Sequence, residues 1–140
     1  MIAAVRIRGV RNMLPQIKAT LEMLNLGKTN YCVLLKDDPS TNGMLLKAKD
    51  YIAYGPISPE VAEKLIRAKG EFNGKKLSML PKEKADEIVK KVLALEFPEG
   101  FKKAFRCRPP SKGYKDIKKQ WPAGDLGKRP SMDSLIRRMI

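Results

Sequence analysis

At 140 residues the chain fits one ordinary domain, large enough to bury roughly two thirds of its unfolded surface. Its 29 Lys and Arg against 15 Asp and Glu leave a net charge of +14, a surplus that solubility does not require and that points to an anionic partner, most often nucleic acid. There is no histidine, and Cys32 and Cys107 belong to no CxxC pair, so a Cys/His zinc site lacks ligands and a reducing compartment is the simpler setting.

The run Met1 to Val5 is apolar but ends at Arg6 and Arg8, too short for a signal-peptide core, and no apolar stretch approaches membrane-spanning length. A soluble, cytoplasmic protein with no membrane partner is expected. In "IAAVRIRG" the alternation of Ala3, Val5 and Ile7 with Ala4, Arg6 and Arg8 predicts a half-buried strand, one face in the core and the other presenting arginine. Leu14, Ile17, Leu21 and Leu24 then recur at helical spacing, with Asn12 as the expected cap, Pro15 in the first turn and Gly27 as the stop. "NYCVLLK", Asn30 to Lys36, predicts a second strand, after which Asp38 is placed to cap a helix opening at Pro39 with Met44, Leu45 and Ala48 on it. "YIAYG", Tyr51 to Gly55, predicts a third strand. Ser58-Pro59-Glu60 opens a third helix with Val61, Ala62, Leu65 and Ile66 on one side and Gly70 at its end. The order is β-α-β-α-β followed by a helix.

Asn73-Gly74 marks a turn inside a basic, irregular connection. A fourth helix is expected after Pro81, with Ala85, Ile88, Val89, Val92 and Leu93 as its apolar face, Glu83 and Asp86 early and Lys90 and Lys91 late, as the helix dipole favours. Pro98 and Gly100 end it. From Phe101 to Pro130 no period is sustained, and Ser131 then caps a short helix with Leu135, Ile136 and Met139 inward. The expected organisation is a core α/β unit over residues 1–58, a helical extension packed on it over 59–100, and a basic extended segment with a terminal helix over 101–140.

Catalysis needs a positioned acid, base, nucleophile or metal, and few candidates exist. Asp37-Asp38 are neighbours in a strand-to-helix turn, better suited to capping than to acid–base work. Cys107 lies between Arg106 and Arg108, which could lower a thiol pKa, but no histidine is available as its base; Cys32, inside a strand, reads as a small core residue. "GEFNGK" and "GDLGK" have the wrong glycine spacing for a phosphate-binding loop and no following Ser or Thr for magnesium. Neither an enzyme nor a cofactor is expected.

The cations are the remaining signal. Lys64, Lys69, Lys82, Lys84, Lys90 and Lys91 lie among acids on helices and read as solvated faces. Arg6 and Arg8 share the face opposite the apolar residues of the first strand, and Arg11 follows in the loop, a pattern suited to phosphate contact. "FRCRPPSKGYKDIKKQW", residues 105–121, holds six basic residues, Arg106, Arg108, Lys112, Lys115, Lys118 and Lys119, against the one acid Asp116; Lys128 and Arg129 follow before the last helix. Phe101, Phe105, Tyr114 and Trp121 interleave with these cations, unlike the composition of a disordered tail. The segment reads as an extended RNA-gripping loop, with Trp121 either a core anchor or a stacking platform.

"VRIRGVRNMLPQIKATLEMLNLGKTNYCVLL", "NGMLLKAKDYIAYG" and "FRCRPPSKGYKDIKKQWPAGDLGKRPSMDSLIRRM" together resemble the large-subunit ribosomal proteins of the L-thirty family, in their long archaeal form related to the eukaryotic L-seven protein. Gly43-Met44, Tyr54-Gly55, Pro109-Pro110 and Leu126-Gly127 fall in the order of that family. The resemblance implies an α+β fold, a β-α-β-α-β core with a three-stranded antiparallel sheet in order 3-1-2 plus additional helices. It also implies a structural role in binding folded large-subunit rRNA, with a place near 5S rRNA and beside other ribosomal proteins, no cofactor and no small-molecule substrate. It carries RNA contact onto Arg8, Arg11, Lys47, Lys49, Arg106, Arg108, Lys112 and Lys128. The competing reading is a general nucleic-acid-coating protein outside the ribosome.

Overall fold

The computed structural model describes residues 1–9 and 11–140. Strands β1 (Ile2–Arg6), β2 (Tyr31–Leu35) and β3 (Ile52–Pro56) form the antiparallel centre in the order β2-β1-β3, with helix α1 (Pro15–Met23) between β1 and β2 and α2 (Pro39–Lys47) between β2 and β3. Helices α3 (Pro59–Lys69), α4 (Lys82–Leu93) and α5 (Asp133–Met139) follow. The sheet is wider than three strands. Within the expected loop, β6 (Ala104–Arg106) pairs antiparallel with β2, and β7 (Gly127–Lys128) pairs parallel with β3, so the order is β6-β2-β1-β3-β7. These edge strands are three and two residues long, too short to show a period of two.

The sheet is covered on both faces. Ala3, Val5 and Ile7 of the first strand and its extension, Cys32 and Leu34 of β2, and Ala53 of β3 pack with the buried faces of α3, α4 and α5. Ile2, Ala4, Val33, Ile52 and Tyr54 pack with Leu21, Leu24 and Leu26 at α1 and Leu45 and Ala48 at α2. β1 is therefore the middle strand of a helix–sheet–helix sandwich, and all five of its residues are buried. The one-sided strand expected from the Ala/Arg alternation is corrected here, because α1 and α2 cover the face on which Arg6 lies.

α3 and α4 follow their apolar periods, burying Val61, Ala62, Leu65 and Ile66 and Ala85, Ile88, Val89 and Val92 respectively. Ser58 caps α3, its hydroxyl accepting from the Val61 amide. Three other expected caps differ. α1 is preceded by Leu14 rather than Asn12 and has no side-chain cap, and Asp38 stands at the cap of α2 with its carbonyl bonded to the Asn42 amide but no side-chain bond. Met132 rather than Ser131 precedes α5, although the Ser131 hydroxyl accepts from the Asp133 amide at 3.3 Å. Between α3 and α4 the chain is not irregular: β4 (Glu71–Phe72) and β5 (Lys75–Lys76) form a hairpin through Asn73-Gly74. Both turn residues have positive φ, 49° and 77°, the geometry whose twist suits a two-residue hairpin and favours Asn-Gly. A 3-10 turn at Leu77–Met79 then leads to α4. Among the described residues no helix is long and apolar enough to cross a membrane, and no group of three metal-ligating side chains is found.

Candidate nucleic-acid interface

The pairing directions bring one end of every strand of the main sheet together. β1 and β6 finish, and β2, β3 and β7 start, at the same end. Residues 107–126 connect the two opposite edge strands, so they must cross that end as a strap. Hydrogen bonds hold the strap to the strand ends beneath it. The Cys107 amide donates to the Asn30 carbonyl at 3.1 Å and the Tyr114 hydroxyl to Asn30 Oδ1 at 2.8 Å. The Gln120 side-chain Nε2 donates to Asp50 Oδ1 at 3.0 Å. From α5, Arg138 donates to the carbonyls of Ser111 and Gly113 at 3.3 and 3.1 Å. The segment read as an RNA-gripping loop is thus a pinned part of the fold.

The strap uses its acids for its own architecture. Asp116 accepts from the Lys118 amide at 2.8 Å, and Asp125, 2% exposed, accepts from the Lys115 amide and from Arg129 at 3.3 Å. Gly124 sits where a Cβ would collide with the Lys119 carbonyl, which is why the chain can close tightly there. With the carboxylates occupied, Lys112, Lys118 and Lys119 remain exposed. Lys115 is exposed as well, with its ammonium folded back onto the Pro122 carbonyl at 3.1 Å.

Most cations proposed from the sequence meet at this end. Arg8 leaves β1 beside Tyr51, its guanidinium 5.2 Å from the ring centroid, and exposed Arg11 follows. Lys47 closes α2, and half-buried Lys49 lies in the turn that leads to β3. Arg106 ends β6 and Arg108 begins the strap, both exposed, although Arg108 also clasps the terminal helix by donating to the Ile140 carbonyl. Arg106 separates two clefts. One, of about 280 Å³, is lined by Lys69, Lys76, Arg106 and Arg108 together with Glu71, which pairs with Lys102; the other, of about 350 Å³, by Lys28, Asn30 and Arg106. Lys28 and Lys69 were missed in the sequence. Lys69 looked like part of a solvated helix face, but it is the last residue of α3 and reaches the strap there.

Three proposed residues lie elsewhere. Arg6 is 2% exposed, donating from Nη1 to the Leu26 carbonyl at 2.8 Å and from Nε to the Arg8 carbonyl at 3.0 Å; burial lowers its pKa from the usual value. It braces the loops that carry Arg8 and Lys28 and offers nothing to an outside phosphate. Arg129 is 4% exposed, paired with Asp125 and stacked under Trp121, and burial lowers its pKa also. Both are corrected from surface contacts to internal ties. Lys128 is exposed, but it borders a separate cavity with Met1, Asp37, Asn42 and Pro56 toward the other end of the sheet.

The aromatic residues divide as well. Phe101 and Phe105 are core anchors, with their ring centroids 6.0 Å apart. Half-buried Tyr114 is pushed up to about 12 by burial first and then by Asp125. The folded state therefore holds the phenol proton above the unfolded value of 10.0, so this contribution is complete below about pH 10 and is lost as pH rises toward 12. We expect Tyr114→Phe to cost about 1 kcal/mol of stability at neutral pH and to remove part of the decline above pH 10, both measurable by urea unfolding. Cys32 and Cys107 are free and buried, and the Cys32 thiol donates to the Val33 carbonyl at 4.0 Å. Interaction with the Cys107 thiol and burial push Cys32 up, while interaction with Cys32, with help from Lys69, pulls Cys107 down.

A family model described as ribosomal protein L30p/L7e matches residues 2–52. The large ribosomal subunit protein uL30 of Archaeoglobus fulgidus is 40% identical, with 91% of each chain covered. Those of Methanobrevibacter smithii and Methanosphaera stadtmanae are each 36% identical, with 100% of each chain covered. The match extends across α3, α4 and the strap as well as the β-α-β core, and the chain belongs to the uL30 family of large ribosomal subunit proteins.

Proposed function

We propose that the chain is a structural, non-catalytic constituent of the large ribosomal subunit in the cytoplasm, and that it holds folded rRNA with the cationic strap end of its sheet. The supporting observation is the convergence of Arg8, Arg11, Lys28, Lys49, Arg106, Arg108 and the strap lysines at one end, where the nearby acids bond to the protein's own backbone and side chains. Such a surface displaces counterions from phosphates and, being rigid, selects an RNA shape more than a base sequence.

The test is a titration of the full chain against deproteinised large-subunit rRNA. With about six phosphates engaged, affinity should fall roughly a thousandfold between 50 and 200 mM salt. Equal affinity for random duplex DNA at physiological salt would replace this reading with that of a general nucleic-acid coat. The family resemblance extends the proposal to a position near 5S rRNA, for which crosslinking from the strap lysines inside assembled subunits is the measurement.

A further inference from the structure

Trp121 is the only tryptophan of the chain and is 39% exposed, an unusual state for the side chain with the largest apolar surface. An anchor would be buried, as Phe105 is at 0%. What the ring does cover is Arg129, whose guanidinium carbon lies 4.5 Å from the ring centroid and which is itself 4% exposed. A stacked guanidinium occupies one face of an indole only. With that face closed from beneath, the exposure belongs to the remaining face and edge.

The backbone that carries the ring is also held in place. The Trp121 backbone amide donates to the Leu126 carbonyl at 2.9 Å, and the Arg129 backbone amide to the Tyr54 carbonyl of β3 at 2.8 Å. The Arg129 side chain is fixed by buried Asp125. Next to it, Gln120 is tied to Asp50. Exposed Lys118 and Lys119 immediately precede this pair in the strap. A fixed aromatic face with cations alongside is the arrangement that receives an unpaired nucleobase while its phosphates meet ammonium groups.

We propose that the open face of Trp121 is a stacking platform for one unpaired base of the rRNA, so that the strap end recognises a bulged or looped nucleotide as well as backbone phosphates. This inference rests on the RNA-binding reading above and specifies the class of RNA element it takes.

Because Trp121 is alone, its fluorescence reports on this site without labelling. The full chain is titrated with an adenine-rich single-stranded oligoribonucleotide, with the same oligonucleotide paired to its complement, and with deproteinised large-subunit rRNA. Stacking predicts strong quenching by the single strand and the rRNA and little by the duplex. Trp121→Ala should weaken rRNA binding roughly tenfold with an unchanged salt slope, because no phosphate contact is lost, while Trp121→Tyr should retain most of the affinity. Salt-dependent rRNA binding without quenching, and with Trp121→Tyr and Trp121→Ala both at wild-type affinity, overturns the platform and leaves the phosphate-binding reading standing. Emission that shifts only in assembled subunits, and not with rRNA alone, also overturns it, by assigning the ring to a protein neighbour. Absence of any salt-dependent rRNA binding sinks the underlying reading instead.

Discussion

Replacing Arg106, Lys112, Lys118 and Lys119 together with Gln should lower affinity for deproteinised large-subunit rRNA by two to three orders of magnitude near physiological salt, and should flatten the dependence of log affinity on log salt by about three to four. Each phosphate contact contributes roughly one unit to that slope, equivalent to a factor of about five at 0.15 M salt. These four are the sharpest probes because all are exposed and none is in a salt bridge among the described residues. Their removal alters the outer surface of the strap end while leaving the Asn30, Asp50 and Asp125 ties in place. Arg108 is excluded, since its loss would also free the Ile140 carbonyl that it holds. The control is a second quadruple variant at Lys82, Lys84, Lys90 and Lys91, exposed on α4. It removes the same total charge, so equal losses in both variants would mean that net charge, not the strap end, sets affinity.

The sequence disclosed the elements whose signal is local. α3 and α4 repeat apolar residues at helical spacing over eleven and twelve residues, and β2 and β3 are strand formers bounded by turns. The layering around β1 was not legible, because Ala3 and Ala4 are both small and apolar while Arg6 resembles a solvent-facing residue. Only knowledge that α1 and α2 cover its face explains why its guanidinium meets the Leu26 carbonyl. The candidate surface was half legible for the same reason. Charge excess located the segment, but the strap's route depends on bonds such as Tyr114 to Asn30, 84 residues apart, and on edge strands too short to carry a pattern. Local charge context misled in both directions: it placed Arg129 on the surface and left Lys69 off the strap end. Arg6 and Arg129 turn inward where buried acceptors, the Leu26 carbonyl and the Asp125 carboxylate, lie beneath the covering layer.

Asp125→Ala is expected to be the most damaging single substitution for stability in the strap, costing about 3–5 kcal/mol and lowering Tm by roughly 10 °C or more. The carboxylate is 2% exposed and compensates Arg129, 4% exposed, while also receiving the Lys115 amide. Its removal leaves a guanidinium deep in the fold with no counter-charge and with Nε already unpartnered among the described residues. Asp116→Ala should cost only about 1 kcal/mol, because that carboxylate is half-exposed and holds one amide. The mechanism is separable from simple loss of a hydrogen bond by a double substitution. Asp125→Leu with Arg129→Met removes both charges and keeps an apolar side chain under Trp121, so thermal unfolding should show it recovering most of the loss seen for Asp125→Leu alone. A double variant no more stable than that single one would mean that the carboxylate acts chiefly through the Lys115 amide. Because the exposed lysines Lys112, Lys118 and Lys119 are untouched, the double variant should also keep a wild-type salt slope for rRNA, which separates the ion pair that builds the surface from the cations proposed to use it.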